Sequence, residues 1–107
     1  MASSVRLAVQ QLIDNNVVVV FSKTFCPYCV KVKDLFNRLG VSFNVIELDR
    51  IDEGDQYQAV LREITGASSV PRVFIGGASI GGCDDTHAAL RSGDLKARLL
   101  RVGLSIA

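Results

Sequence analysis

The chain has 107 residues, of which 49 % are hydrophobic and 21 % charged, with a formal net charge of +1. That length suits one domain with one core and excludes two, and the apolar content favours a globular fold over disorder. A charge this near zero implies no polyanion partner such as nucleic acid, and no apolar run reaches the roughly 18 residues that a membrane span requires.

Met1-Ala2-Ser3-Ser4-Val5-Arg6 has no long apolar core and leads straight into an amphipathic pattern, so no signal peptide is expected. Three cysteines without such a signal suit a reducing, cytoplasmic compartment. Ser3 or Ser4 is the expected cap of a first helix carrying Val5, Ala8, Val9 and Leu12 on one face, stopped by Asn15-Asn16. Val17 to Phe21 is a continuous, largely β-branched run, as in a central strand buried on both faces.

Lys23-Thr24-Phe25-Cys26-Pro27-Tyr28-Cys29 follows that strand and opens a helix marked by Val32, Leu35, Phe36 and Leu39. Pro27 fits the first helical turn, where its missing N–H costs nothing, which makes Cys26 the expected N-cap. The unpaired N–H groups of that turn favour a thiolate over a thiol. C-x-x-C at a strand-to-helix junction reads as a thioredoxin-like redox motif. The pair has two other readings: buried, inert thiols, or half of a Cys₃His zinc site made by Cys26, Cys29, Cys83 and His87.

Gly40 ends that helix, and Phe43, Val45, Ile46 and Leu48 predict a second strand up to Asp49. After a polar turn over Asp52-Glu53-Gly54-Asp55, Tyr57, Val60, Leu61 and Ile64 predict a third helix closed by Gly66. Ser68-Ser69-Val70-Pro71 is a loop before a strand at Arg72-Val73-Phe74-Ile75, and Gly76-Gly77 signals a hairpin into Ala78-Ser79-Ile80. Gly81-Gly82 and a Cys83-Asp84-Asp85 loop precede a short helix, capped by Asp85 or Thr86 and running through Leu90. Leu95, Leu99 and Val102 mark the last helix. The expected order is αβαβαββαα, with the first two strands parallel through a helical crossover.

Cys-Pro-Tyr-Cys, then Ser-Val-Pro before a strand, then Gly-Gly-Cys-Asp-Asp, taken in this order over nearly the whole chain, resembles a dithiol glutaredoxin. The resemblance implies a thioredoxin-like α/β fold, a single domain over residues 1–107, with a four-stranded mixed sheet flanked by about five helices. It implies a glutathione-dependent thiol–disulfide oxidoreductase with no bound cofactor or metal. Glutathione is its electron donor, recycled by NADPH and glutathione reductase, and its partners are glutathionylated or disulfide-bonded proteins. A monomer is the default expectation. The implied catalytic residues are Cys26 as nucleophile and Cys29 as resolving thiol. Those implied for glutathione are Lys23 and Gln58 for carboxylates and Tyr28 along the groove. A cis Pro71 turns the Val70 main chain outward, and Gly82, Cys83 and Asp84 meet the γ-glutamyl end. Without the resemblance, Lys23 reads as a solvated strand-end lysine, Tyr28 as packing, Gln58 as an exposed helix residue and Pro71 as trans. Ser69 stands where the family usually has Thr. Ser68 stands where Arg or Gln is frequent, and is too short for a charged contact. Lys31, Lys33 and Arg72 have two readings, added positive potential around an anionic ligand or, more often, only a solvated face, and are left out of the site. The rival function within the family is a dimer sharing an iron–sulfur cluster through Cys26 and glutathione, against which Pro27 argues.

Overall fold

The computed structural model describes residues 2–106, with side chains from Ser4 through Ile106. Helix α1 spans Ala2–Asn15, strand β1 Val18–Ser22, helix α2 Pro27–Leu39 and strand β2 Asn44–Glu47. A 3₁₀ turn over Leu48–Arg50 leads to α3 at Gly54–Thr65, then β3 at Arg72–Ile75 and β4 at Ala78–Gly81. Helices α4, Cys83–Ser92, and α5, Asp94–Arg101, complete the chain. The four strands form one sheet in the order β2-β1-β3-β4. Strand β1 runs parallel to β2 and antiparallel to β3, and β3 pairs antiparallel with β4. This is the expected order and sheet. No helix among the described residues is long and apolar enough to cross a membrane.

Strand β1 is buried along its whole length because helices cover both faces of the sheet. Its alternation divides the core. Val18 and Val20 pack with Val32 and Phe36 of α2 and Leu95 and Leu99 of α5. Val19 and Phe21 pack with Val5, Val9 and Ile13 of α1 and Val60 and Leu61 of α3. The Phe21 and Phe74 rings meet edge to face at 5.8 Å.

Four local expectations are corrected. Helix α1 already includes Ser4, which therefore sits inside the first turn and not before it; the Ser3 side chain lies outside the described residues. Strand β2 is shorter than the apolar pattern: it stops at Glu47, and Leu48–Arg50 turns. The Asp49 carboxylate there accepts from the Thr24 N–H (3.0 Å) and from the Thr24 hydroxyl, tying the turn to the loop before α2. Those two bonds, hydroxyl first, hold the Asp49 carboxyl below its usual range. Ile64 stays exposed on α3. Helix α4 starts at Cys83, because Asp85 reaches back to accept the Gly82 N–H at 3.1 Å while the Thr86 hydroxyl donates to the Gly82 carbonyl at 2.7 Å. Asp85 and Thr86 thus serve a cap at Gly82 and are not caps themselves.

Candidate active site

Everything at the site hangs from the end of β1. The Lys23 carbonyl accepts the Cys26 N–H at 3.2 Å, turning the chain into α2. Cys26 is the N-cap, with extended backbone (φ −92°, ψ 113°), and Pro27 follows as the first helical residue. An N-cap side chain folds back over the orphan amides of its own helix. The Cys26 Sγ accordingly accepts the Cys29 N–H at 3.3 Å. The first turn of α2 carries no acidic residue to compete for those amides. Gly40, in the left-handed region at φ 71°, closes the far end.

The two thiols are free and differ in setting: Cys26 is half-buried and Cys29 wholly buried. Burial, then the hydrogen bond with Cys26, pushes the Cys29 thiol up from its ordinary 9.0 to about 11. The polar Lys23 main chain and Ser22 side chain act on the same thiol in the opposite direction.

The Val70–Pro71 bond is cis, as the resemblance implies. The Cys26 Sγ lies 3.8 Å from the Val70 carbonyl oxygen. Beyond Val70 a cavity of about 270 Å³ runs from Tyr28 past Pro71 to Gly82, Cys83 and Asp84 at the start of α4. These are sequence-expected residues from three separate stretches, brought to one opening. Tyr28 is largely exposed, with the Lys31 ammonium 5.3 Å from its ring centre.

Neither catalytic cysteine lines this cavity, and two of the residues expected for glutathione do not either. Lys23 is half-buried and contributes its main chain. The Gln58 side-chain amide donates to the Ser68 carbonyl at 2.6 Å and faces a separate hollow with Asp55 and Arg62. Two residues read as solvated are not. The Lys33 ammonium holds the Glu47 carboxylate at 2.7 Å. Arg72 is buried at 9 % exposure in the cavity wall, its Nε donating to the Pro71 carbonyl at 3.0 Å and its Nη2 to the Ser69 hydroxyl at 3.4 Å. Its position at the head of a strand hid that role. The one available signal was the cis-proline loop directly before it. A Cβ at Gly82 would lie 2.6 Å from Arg72 Nη2, the far end of a long side chain that would have to shift.

Cys83 is buried, 3.6 Å from His87 Nδ1, and burial followed by the Asp84 charge pushes its thiol up. The four side chains of the zinc reading are not gathered: the described residues contain no group of three or more His, Cys, Asp or Glu able to hold a metal ion.

The glutaredoxin family model matches residues 18–80, from β1 through the hairpin. A glutaredoxin from Vernicia fordii is 53 % identical over 94 residues, covering 88 % of this chain and 90 % of that protein. Glutaredoxin-C2 of Arabidopsis thaliana is 48 % identical over 94 residues, covering 88 % and 85 %. Among solved structures, a buckwheat glutaredoxin–glutathione complex superposes with a TM-score of 0.94 at 45 % identity, covering 97 % of this chain and 94 % of that one. The holo form of glutaredoxin C1 from Populus tremula x tremuloides gives a TM-score of 0.90 at 40 % identity, covering 94 % and 99 %. With a half-exposed N-cap cysteine, a buried cysteine three residues on and a cis-proline loop across from both, the chain belongs to the glutaredoxin family.

Proposed function

We propose that this chain is a glutathione-dependent thiol–disulfide oxidoreductase acting on protein–glutathione mixed disulfides and protein disulfides. The observation that carries the reading is the asymmetry of the two thiols. The Cys26 sulfur is half-exposed, at an open helix N-terminus, and the Cys29 sulfur is wholly buried behind it.

In the monothiol route Cys26 attacks the glutathione sulfur of a mixed disulfide. The protein–glutathione S–S bond breaks, and the protein sulfur leaves with the electron pair and takes up a proton. Cys26 now carries glutathione. The thiolate of a second glutathione attacks that sulfur, frees Cys26 and departs as oxidised glutathione. In the dithiol route Cys26 attacks a protein disulfide and Cys29 resolves the mixed disulfide, leaving an internal Cys26–Cys29 bond that two glutathiones reduce. A cytoplasmic location and a monomer complete the reading.

The buckwheat relative was solved with glutathione, and the cavity offers this tripeptide complementary partners. The Val70 main chain can pair with its cysteinyl backbone as an added strand would. The α4 N-terminus suits the γ-glutamyl carboxylate and the exposed Asp84 suits its ammonium. Lys23 is assigned to a carboxylate. Gln58 is assigned to the glycine carboxylate, which requires its amide to leave the Ser68 carbonyl.

The test is glutathione-linked reduction of a small mixed disulfide, coupled to NADPH through glutathione reductase. Turnover that disappears in Cys26→Ser is the expected result. Full activity in that variant, or turnover with thioredoxin reductase and none with glutathione, sinks the proposal.

A further inference from the structure

Arg72 is the one buried charged residue among the described residues, and it has no ion-pair partner there. The ion pairs are made by less buried cations: Arg6 with Glu63, Lys33 with Glu47 and Arg98 with Asp94. A buried guanidinium held only by neutral acceptors keeps much of its desolvation cost. Arg72 has two such acceptors, the Pro71 carbonyl for Nε and the Ser69 hydroxyl for Nη2. A guanidinium has more N–H groups than two acceptors can use. Among the described residues the buried side-chain polar atom left without a partner is Glu47 Oε1, so the unused Arg72 donors reach solvent. Arg72 lines the cavity that runs to the start of α4.

The guanidinium is fixed at one end of that cavity. Arg72 opens β3 directly after the cis Val70–Pro71 bond. Gly82, the cap of α4, stands so close that a Cβ there would lie 2.6 Å from Nη2. The charge therefore sits beside the α4 N-terminus, and both favour an anion. Asp84 and Asp85 line the same cavity, but neither pairs with Arg72. Asp85 already holds the Gly82 N–H, and Asp84 is exposed. A cation with a helix N-terminus, next to an exposed carboxylate, complements the zwitterion of a free α-amino acid. Glutathione carries one at its γ-glutamyl end. We propose that Arg72 is the counter-charge for the γ-glutamyl carboxylate of glutathione, so that the ligand completes the ion pair which the fold leaves open. The inference rests on the glutathione reading above. It makes Arg72 a specificity residue, because a thiol compound without that carboxylate leaves the buried guanidinium unpaired.

Single-turnover glutathionylation of Cys26 tests this. A Cys29→Ser protein is mixed with the disulfide of glutathione and mercaptoethanol, and the adduct is followed by mass spectrometry. Cys26 attacks the glutathione sulfur, the S–S bond breaks, and mercaptoethanol leaves with the electron pair and takes up a proton. Two further disulfides carry glutathione amidated at the γ-glutamyl α-carboxylate or at the glycine carboxylate. The γ-glutamyl amide should slow the Cys29→Ser protein about tenfold. Adding Arg72→Gln should slow the reaction of glutathione itself about tenfold, and that amidation should then cost less than about twofold more. The glycine amide should slow both proteins by the same factor. Ligands are compared within one protein, so a general loss of packing cancels. Equal sensitivity to γ-glutamyl amidation with and without Arg72, or Arg72→Gln reacting like its parent, would overturn the proposal. Should Arg72→Gln not fold, NMR of the isotope-labelled Cys29→Ser protein decides. The Arg72 Nε–H signal should move with S-methylglutathione and stay with its γ-glutamyl α-amide; the same response to both would overturn the proposal. If Cys26 reacts no faster with the glutathione disulfide than with hydroxyethyl disulfide, the glutathione reading falls and this inference with it.

Discussion

Two helices in this molecule begin at a cysteine, and only one is built to react. Cys26 precedes α2 as its N-cap, with its sulfur over the Cys29 N–H and no acid in the first turn. Cys83 is the first residue inside α4, after the Gly82 cap. One position further along, the side chain no longer folds over the helix's own amides but joins the core. Helix α4 also carries Asp84 and Asp85 in its first turn, and Asp85 already holds the Gly82 N–H. A helix N-terminus therefore does not by itself make a reactive thiol. The cap position, exposure and the absence of a competing carboxylate decide it.

The largest effect that would break this comparison is at the nucleophile. Cys26→Ser should cost about a thousandfold or more in glutathione-linked turnover, as loss of a nucleophile does, while Cys83→Ser should stay within about twofold because its sulfur touches no reacting atom in the proposed mechanism. Comparable losses in steady-state assays of the two variants would erase the distinction. Cys29→Ser divides the routes: reduction of a protein disulfide should fall to background while deglutathionylation persists, and loss of both would contradict the monothiol route.

Gly82→Ala sharpens the α4 side. Its Cβ would meet Arg72 Nη2 at 2.6 Å in the cavity wall, and moving the guanidinium from its bonds to the Pro71 carbonyl and Ser69 hydroxyl costs about 1 kcal/mol. Urea denaturation should register it, and glutathione should bind more weakly. Asp85→Ala should cost about 0.5–2 kcal/mol as a lost cap interaction, again by urea denaturation.

The remaining expected effect is alkaline. The Cys29 thiol is held at about 11 in the fold against an ordinary 9.0. Between those values the unfolded chain has lost the proton that the folded chain keeps, so folding stability falls as pH rises through that window. The wild type should lose urea midpoint between about pH 9 and 11 faster than Cys29→Ser does. Parallel curves would mean that the buried thiol is not perturbed.

Much of the reactive corner is legible in the chain itself, because it is made locally. A buried β-branched run, a proline that fits the first helical turn and a glycine at the far end fix β1, α2 and the cap within 23 residues (18–40). The order of the later elements also follows from periodicity and turn chemistry. What escaped depends on groups distant in sequence or on competing caps. The end of β2 is decided by Asp49 reaching Thr24. The start of α4 is decided by which of several polar residues finds the Gly82 N–H. Gly54, expected only as part of a turn, is the first residue of α3 and packs so closely that a Cβ there would lie 1.8 Å from the Leu48 carbonyl oxygen. Arg72 and Lys33 looked solvated because composition cannot say which side of a wall a long cation occupies. The cis state of Pro71 followed from the resemblance and not from spacing, since only about 5–6 % of X–Pro bonds are cis.

The central claim is that Cys26 alone among the three thiols is poised to attack, and site-resolved alkylation tests it most directly. Reduced protein would be treated with iodoacetamide at neutral pH, quenched over time and mapped by mass spectrometry. Cys26 should be modified first and far faster, with Cys29 and Cys83 labelled only once the protein is unfolded. Labelling of Cys29 or Cys83 at the rate of Cys26 would contradict the account.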